Sequence, residues 1–333
     1  MGDELSGVGL YSREILLGMA AAHPEVRFDF CYRPHRYLRS RSIQLPGNAK
    51  RRLLAEPLGP RSAALFHGLN QRLPQIPMRR SIATFHDLFV MTGEYSTAEF
   101  RARFAGQARD AAARSSAIIA VSDFTKRQVV SLLGVDPAKV RVVHHGTRRL
   151  PLPAGASREK LILTVGAVQK RKNIARLVEA FETVDPSWRL VIAGARGYGS
   201  DEILQRIERS GARERISVTG YVSPATLAAC YASAMIFAFP SLDEGFGMPL
   251  LEAMAAGIPI VTSNRSALPE VAGDAAILVD PESTEALGQA LRDLTGKDEL
   301  RQELSRRGEA RAGLFTWEKA VRETWDVYQE VMR

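Results

Sequence analysis

Along the second half of the chain, short runs of continuous apolar residues alternate with segments whose apolar positions recur every three or four residues. LILTVG (161–166), RLVIAG (189–194), RISVTGYV (215–222), MIFAFPS (235–241), IPIVTSN (258–264) and AAILVD (275–280) are of the first kind. NIARLVEAFETV (173–184), EILQRIERSG (202–211), PATLAACYASA (224–234) and MPLLEAMAAG (248–257) are of the second. Strands and helices in strict alternation predict an α/β fold, a parallel sheet with helices on both faces. Such sheets take ligands at the carboxyl ends of their strands. The loops after residues 166, 194, 222, 241 and 264 are therefore the candidate site.

The first half repeats the theme less regularly. A helix is predicted over 11–23, strands in VRFDFCY, AALFHG, SIATFHD (81–87) and SAIIAVS (116–122), and a long basic helix near 97–114. HGTRRLPLPAGAS (145–157) is rich in Gly, Pro and Ala and has no period, which marks a linker. Three parts result: 1–150, 158–314 and a terminal helix over 315–333, where Trp317, Val321, Trp325, Tyr328 and Met332 form an apolar stripe.

With 333 residues, 45% of them hydrophobic, the chain is long enough for two cores. It has no run of 18 apolar residues, and its start has neither the basic nor the apolar part of a signal peptide, so a soluble cytoplasmic protein is expected. Cys31 and Cys230 lie in different halves, away from any His cluster, and suggest two small buried side chains rather than a disulfide or a zinc site. The net charge of +8 is unevenly placed: residues 1–157 carry 23 Lys/Arg against 12 Asp/Glu, and residues 158–333 carry 22 against 25. The densest basic stretch, Arg33, Arg36, Arg39, Arg41, Lys50, Arg51 and Arg52, is broken by Pro and Gly and reads as a flexible loop. It is either a solvated surface or a contact with anionic lipid at the inner face of a membrane. Nucleic acid is disfavoured, because no recognition helix or stacking aromatics accompany it.

EGFGMPLLE (244–252) follows an apolar strand and opens a helix, with Pro249 at its start and Gly257 and Pro259 at its stop. Backbone amides from Gly245 to Leu250 at a helix N-terminus suit a phosphate, and Gly245 and Gly247 permit close approach. Carboxylates beside a phosphate need another task, and a carboxylate matches the paired hydroxyls of a diol. Glu244 and Glu252 would then hold hydroxyls on either flank; the alternative for Glu252 is an acid favoured by the helix dipole in the first turn. In AVQKRKN, Lys170, Arg171 and Lys172 crowd a predicted helix start, where the dipole disfavours cations unless an anion binds. A departing diphosphate needs neutralisation, and the sequence has no Asp-x-Asp to hold a metal, which leaves the Lys and Arg side chains of this run for the task. The alternative is a solvated helix cap. His86, at a strand end, is open to a structural or a catalytic reading.

These segments carry a resemblance. VGAVQKRKNIARLVEAF and FAFPSLDEGFGMPLLEAMAAGIPIVTSNRSALPEVAGDAAILVDP resemble the donor domain of family 4 glycosyltransferases, retaining enzymes of the GT-B fold. SGVGLYSREIL, LFHGLN, TFHDLF, IIAVSDFTKRQV and FTWEKAV extend the likeness over nearly the whole chain. The resemblance implies two Rossmann-like domains with parallel sheets facing an interdomain cleft, the first N-terminal and on the acceptor side, and a C-terminal helix returning to it. It implies that Glu252 binds the nucleotide ribose and Glu244 the donor sugar, with amides of Phe246, Gly247, Met248 and Leu250 on sugar and diphosphate. Arg171 and Lys172 would neutralise the diphosphate, Gly7 and Gly9 would form a loop facing the phosphates, His86 would lie near the transferred sugar, and Tyr221 and Val222 would border the base. Many relatives have Arg after the strand's glycine where this chain has Ala167; mannosyltransferase-like members share that. They also open with a buried strand that Met1 to Ser6 cannot supply, which implies either a reading frame that starts upstream or a compromised first domain.

The function implied is retaining, metal-independent transfer of a hexose, mannose by subgroup likeness, from GDP-mannose or a UDP-sugar to a glycan or lipid-linked acceptor in polysaccharide synthesis, without a further cofactor. The leaving diphosphate would assist the incoming hydroxyl. The alternatives are a non-catalytic sugar-nucleotide-binding subunit and a sugar-nucleotide epimerase of the same build. A dinucleotide-dependent dehydrogenase is disfavoured, since GARGYG (194–199) lacks the glycine order of that fingerprint.

Overall fold

The computed structural model describes residues 7–56, 63–148, 150–153 and 155–333, which divide into two compact units. The first unit consists of the described residues within Met1–Met91, Glu99–Gly146 and Phe315–Arg333. Its strands are β1 (Phe28–Tyr32), β2 (Ala49–Leu53), β3 (Phe66–Gly68), β4 (Ser81–Phe85), β5 (Ala117–Ala120) and β6 (Val140–Val142). β3, β4, β5 and β6 lie side by side in that order, all parallel. Every residue of β4 and β5 is buried, the reason neither sequence alternates strictly between apolar and polar positions. β1 and β2 form a separate parallel pair, and a cavity of about 1130 Å³ is lined by β1 and β3.

Three expectations need correction. The basic stretch is not a loop throughout: Arg36 lies on the short helix Pro34–Tyr37, and Lys50, Arg51 and Arg52 lie on β2, in register with Asp29, Phe30 and Cys31. The first helix is Gly7–Ala22, so Gly7 and Gly9 stand in its first turn and not in a loop. Cys31 and Cys230 are half-buried. The missing opening strand, expected at Met1 to Ser6, lies outside the described residues.

The terminal helix Trp317–Met332 belongs to this first unit. The Thr316 hydroxyl caps it by accepting the Lys319 amide. Its buried Ala320, Val321 and Val327 join Tyr11, Ile15 and Met19 of the helix Gly7–Ala22 in one apolar cluster. The bare backbone of Gly18 leaves room for Val321. Of the expected stripe, Met332 at the end stays exposed.

The second unit comprises Thr92–Ala98 and Thr147–Leu314. Its strands are β7 (Glu159–Val165), β8 (Arg189–Ala193), β9 (Ile216–Gly220), β10 (Ala234–Phe239), β11 (Ile260–Ser263) and β12 (Ile277–Val279). They form one parallel sheet in the order β12-β11-β10-β7-β8-β9. The chain thus winds outward from β7 through β8 to β9, then returns to the other side of β7 and winds outward through β10, β11 and β12. The reversal falls between β7 and β10, where a doubly wound sheet opens a crevice at its carboxyl edge. Two helices without an expected counterpart, Thr284–Gly296 and Asp298–Ala312, complete the unit, and Leu287, Leu291 and Leu294 pack into its main core.

Candidate functional site

The loops that leave β7 and β10 meet at the switch point of the second unit. After β7 the backbone is bound to the GARGYG segment after β8: Val168 N–H donates to Ala195 O at 2.8 Å and Gly197 N–H donates to Val168 O at 2.9 Å. A methyl group on Gly194 would overlap the carbonyl oxygen of Gly166, so the two loops run together only because Gly194 has no side chain. Lys170–Lys172 then form one 3₁₀ turn, and the helix proper, Ile174–Phe181, starts after it. The three cations therefore precede the helix and do not occupy its first turn. Asn173 stands between in the left-handed region at φ 58°, and its buried amide donates to Pro240 O at 3.1 Å and Pro281 O at 2.7 Å. That side chain ties the β7 loop to the loops after β10 and β12. The Leu242 amide, which donates to Arg171 O at 2.8 Å, adds a second tie.

These ties bring Arg171 and Lys172 against Glu244. Arg171 Nη1 lies 2.8 Å from Glu244 Oε2, and Lys172 Nζ lies 2.6 Å from Oε1. All three side chains are about 10% exposed. Lys172 also sits 4.4 Å above the Phe239 ring, a face that favours a cation. Burial alone would push the Glu244 carboxyl up, but the two cations outweigh it and hold it at about 2. Arg171 reaches further, to the carbonyl of Asp243, whose side chain accepts from the Thr92 hydroxyl at 2.8 Å. Sequence reasoning missed both Thr92 and Asp243; only the position of Asp243 next to Glu244 could have flagged it.

The segment Gly245–Gly247 is buried and leads into the helix Met248–Ala255 through Gly247 at φ 101°, a conformation that excludes most side chains. Met248 is half-buried. Leu250 is buried, and its amide donates to Gly247 O at 2.9 Å, so this amide closes the first turn instead of facing a ligand. Glu252 is the fifth residue of the helix and lies outside its first turn, which removes the dipole explanation. The residue is 7% exposed, and Tyr231 donates to Oε2 at 2.9 Å while Arg148 Nη1 stands 4.0 Å from Oε1. Burial pushes the Glu252 carboxyl above its ordinary value, against the opposing effects of Tyr231 and Arg148. Tyr221, 62% exposed, and half-buried Val222 follow β9.

In the first unit His86 follows β4 and is buried. Its Nε2–H donates to Leu69 O at 2.9 Å, which leaves Nδ1 to accept from His145 Nε2–H at 3.4 Å. Burial pushes His86 down to about 4, against the Leu69 bond, so the ring is neutral at pH 7. Tyr11 packs edge-on at 4.7 Å and donates to or accepts from Thr84 at 2.8 Å. Among the described residues no group of three His, Cys, Asp or Glu is placed to hold a metal ion, and no helix is long and apolar enough to cross a membrane.

The chain matches two family models: glycosyl transferases group 1 over residues 153–311 and glycosyltransferase family 4 over residues 21–148. It is 29% identical over 282 residues to O-antigen chain mannosyltransferase B of Escherichia coli, covering 80% of this chain and 74% of that protein. It spans 58%, 51% and 54% of the length of three further curated relatives. Among solved structures, sucrose-phosphate synthase of Thermosynechococcus elongatus superposes with a TM-score of 0.78 at 20% identity, over 98% of this chain and 93% of that one. Anabaena Alr3699/HepE in complex with UDP and glucose superposes with a TM-score of 0.74 at 14% identity, over 99% and 97%.

Proposed function

The chain belongs to glycosyltransferase family 4, and from that premise we propose that it transfers a hexose, mannose first among candidates, from a nucleoside-diphosphate sugar to a glycan or lipid-linked acceptor, with retention and without a metal ion. The observation that carries the proposal is the Glu244–Arg171–Lys172 cluster at the switch point of the donor-side sheet. Two buried cations beside the Gly245–Gly247 loop offer a diphosphate its counter-charge, as oriented electrostatic stabilisation of a leaving group requires. The mannosyltransferase likeness supports mannose, and the relative bound to UDP and glucose supports a nucleotide sugar as donor.

In this reading Glu252 holds the ribose, Tyr221 and Val222 border the base, and Gly245, Phe246, Gly247 and Met248 contact sugar and diphosphate. Arg171 and Lys172 pass part of their charge from Glu244 to the diphosphate, and Glu244 turns to the sugar hydroxyls. A carboxylate held at about 2 with both oxygens on cations is a weak nucleophile, which favours assistance by the leaving diphosphate over a covalent sugar-enzyme intermediate. The roles of His86, Gly7 and Gly9 rest on the sequence resemblance alone.

A peripheral contact with anionic lipid is proposed for the first unit because Arg33, Arg39, Arg41, Lys50 and Arg52 are exposed together with Leu38 and Leu53. The deciding assay incubates the protein with GDP-mannose or UDP-glucose and a membrane or glycan acceptor fraction, and follows nucleoside diphosphate release and the anomeric configuration of the product. A binding subunit frees no nucleotide, an epimerase changes the sugar without freeing it, and an inverted product overturns the retaining assignment.

A further inference from the structure

Glu252 is not left to orient itself. Tyr231 lies on the helix Pro224–Ser233, which begins three residues after Tyr221 and is capped by Ser223, whose hydroxyl accepts the Thr226 amide at 3.1 Å. The Tyr231 ring is fully buried and stacked on Phe237 of β10, with centroids 5.9 Å apart and planes 24° from parallel. That packing sets the place of its hydroxyl, which meets Glu252 Oε2 at 2.9 Å and stands 3.4 Å from Pro249 O. On the other side, Arg148 approaches Oε1 to 4.0 Å from the segment that opens the second unit.

We infer that Tyr231 and Arg148 form a two-sided clamp on Glu252: Tyr231, a positioning residue, fixes one carboxylate oxygen so that the other is presented to the paired ribose hydroxyls, and Arg148 keeps that presented oxygen charged. The inference rests on the reading of Glu252 as the ribose partner. Two neighbouring hydroxyls can both donate to one carboxylate oxygen only where its lone pairs are aimed at them, and a glutamate on a helix has three side-chain torsions to settle before it offers that oxygen. The hydrogen bond to a buried, packed phenol settles them in advance. The clamp also acts on charge. Burial works against the ionised form of Glu252, and a protonated carboxyl is a poorer acceptor for two hydroxyls. The groups that face it are Tyr231 from its helix and Arg148 from the opening segment, and both favour the ionised form. Burial, with Glu252 itself, pushes the Tyr231 hydroxyl far up, so it remains a donor at every working pH.

The test measures binding of GDP and UDP, and of their 2′,3′-dideoxy counterparts, to the full chain by calorimetry. Wild type should prefer the nucleotide with both ribose hydroxyls. Tyr231→Phe keeps the ring on Phe237 and should lose about ten- to hundredfold for that nucleotide, the worth of a hydrogen bond to a charged group. Its affinity for the dideoxy form should be unchanged, so the preference collapses. In both Tyr231→Phe and Arg148→Met the acid limb of nucleotide affinity should move to higher pH, a change that loss of packing does not produce. A Tyr231→Phe protein that retains the preference for ribose hydroxyls overturns the clamp, and so does an acid limb that stays in place in Arg148→Met. If Glu252→Ala itself retains that preference, the ribose reading falls, which is a separate result.

Discussion

Replacing Glu244 by Gln removes one negative charge from a buried cluster and leaves Arg171 and Lys172 facing each other across an amide. The size of the effect follows from the carboxyl's depression to about 2 from an ordinary 4.5. At about 1.4 kcal/mol for each tenfold in acidity, the ionised form is favoured in the folded protein by roughly 3 kcal/mol. Because the folded value lies below the unfolded one, this stability is fully present above pH 4.5 and is lost as pH falls through about 2. Urea unfolding of wild type and Glu244→Gln, followed from pH 7 to pH 2 by the fluorescence of Trp188 in the second unit's core, isolates the term as the difference between them. The gap should be about 3 kcal/mol at pH 7 and should close progressively below pH 4.5. Other carboxyls titrate in both proteins and cancel. A gap that is independent of pH refutes the argument, since it would mean that Glu244 contributes through packing and not through its charge.

Further outcomes follow from single observations. Gly194→Ala should destabilise by more than about 3 kcal/mol in urea unfolding, because the added methyl meets a neighbouring carbonyl oxygen and not a flexible side chain; a loss under about 1 kcal/mol would show that the two loops separate freely. Burial pushes His67 down to about 3 and His86 to about 4, so the first unit should keep its full stability above pH 6.5 and lose it as pH falls toward 4, where the unfolded chain takes up protons that the folded one refuses. Imidazole resonances of His67 and His86 that titrate near pH 6.5 in the folded protein would contradict this. Exposed Arg39 and Lys50 changed together to Ser should weaken binding to phosphatidylserine vesicles about thirtyfold, at ~1 kcal/mol per charge; equal binding of wild type to neutral vesicles would remove the electrostatic reading.

The strands of the second unit were legible because burial on both faces forces a continuous apolar run, and β7, β8 and β10 begin and end within two residues of LILTVG, RLVIAG and MIFAFPS. The same rule hides an edge strand. AKRRL of β2 shows neither an apolar run nor alternation, since four of its five residues carry charge or face outward beside a single neighbour. Val140–Val142 is too short for any period to register. The candidate site was legible where its signal is local, in the glycines and acids of 244–252 and the bases of 170–172, which the fold brings together. It was illegible where two distant residues meet. Thr92 and Asp243 are separated by 151 positions and Tyr231 and Glu252 by 21, and nothing in either neighbourhood announces the other.

Two acids beside a loop suited to an anion look self-defeating until their surroundings are separated. Glu244 is matched by two cations, so these three side chains together carry net positive charge, which favours a diphosphate in the proposed reading. Among the described residues Glu252 has one cation, at the limit of pairing, and a phenol, and burial works against its charge. As pH falls, Glu252 therefore takes up its proton well before Glu244 does, the one raised above its ordinary value and the other held at about 2. If Glu252 holds the ribose as proposed, donor affinity should accordingly decline at a pH where the Glu244 cluster is still intact, with its acid limb governed by Glu252. The two glutamates are thus unequal partners: in the proposed roles, one would anchor the charges that meet the diphosphate, and the other would set the pH at which the nucleotide can be held.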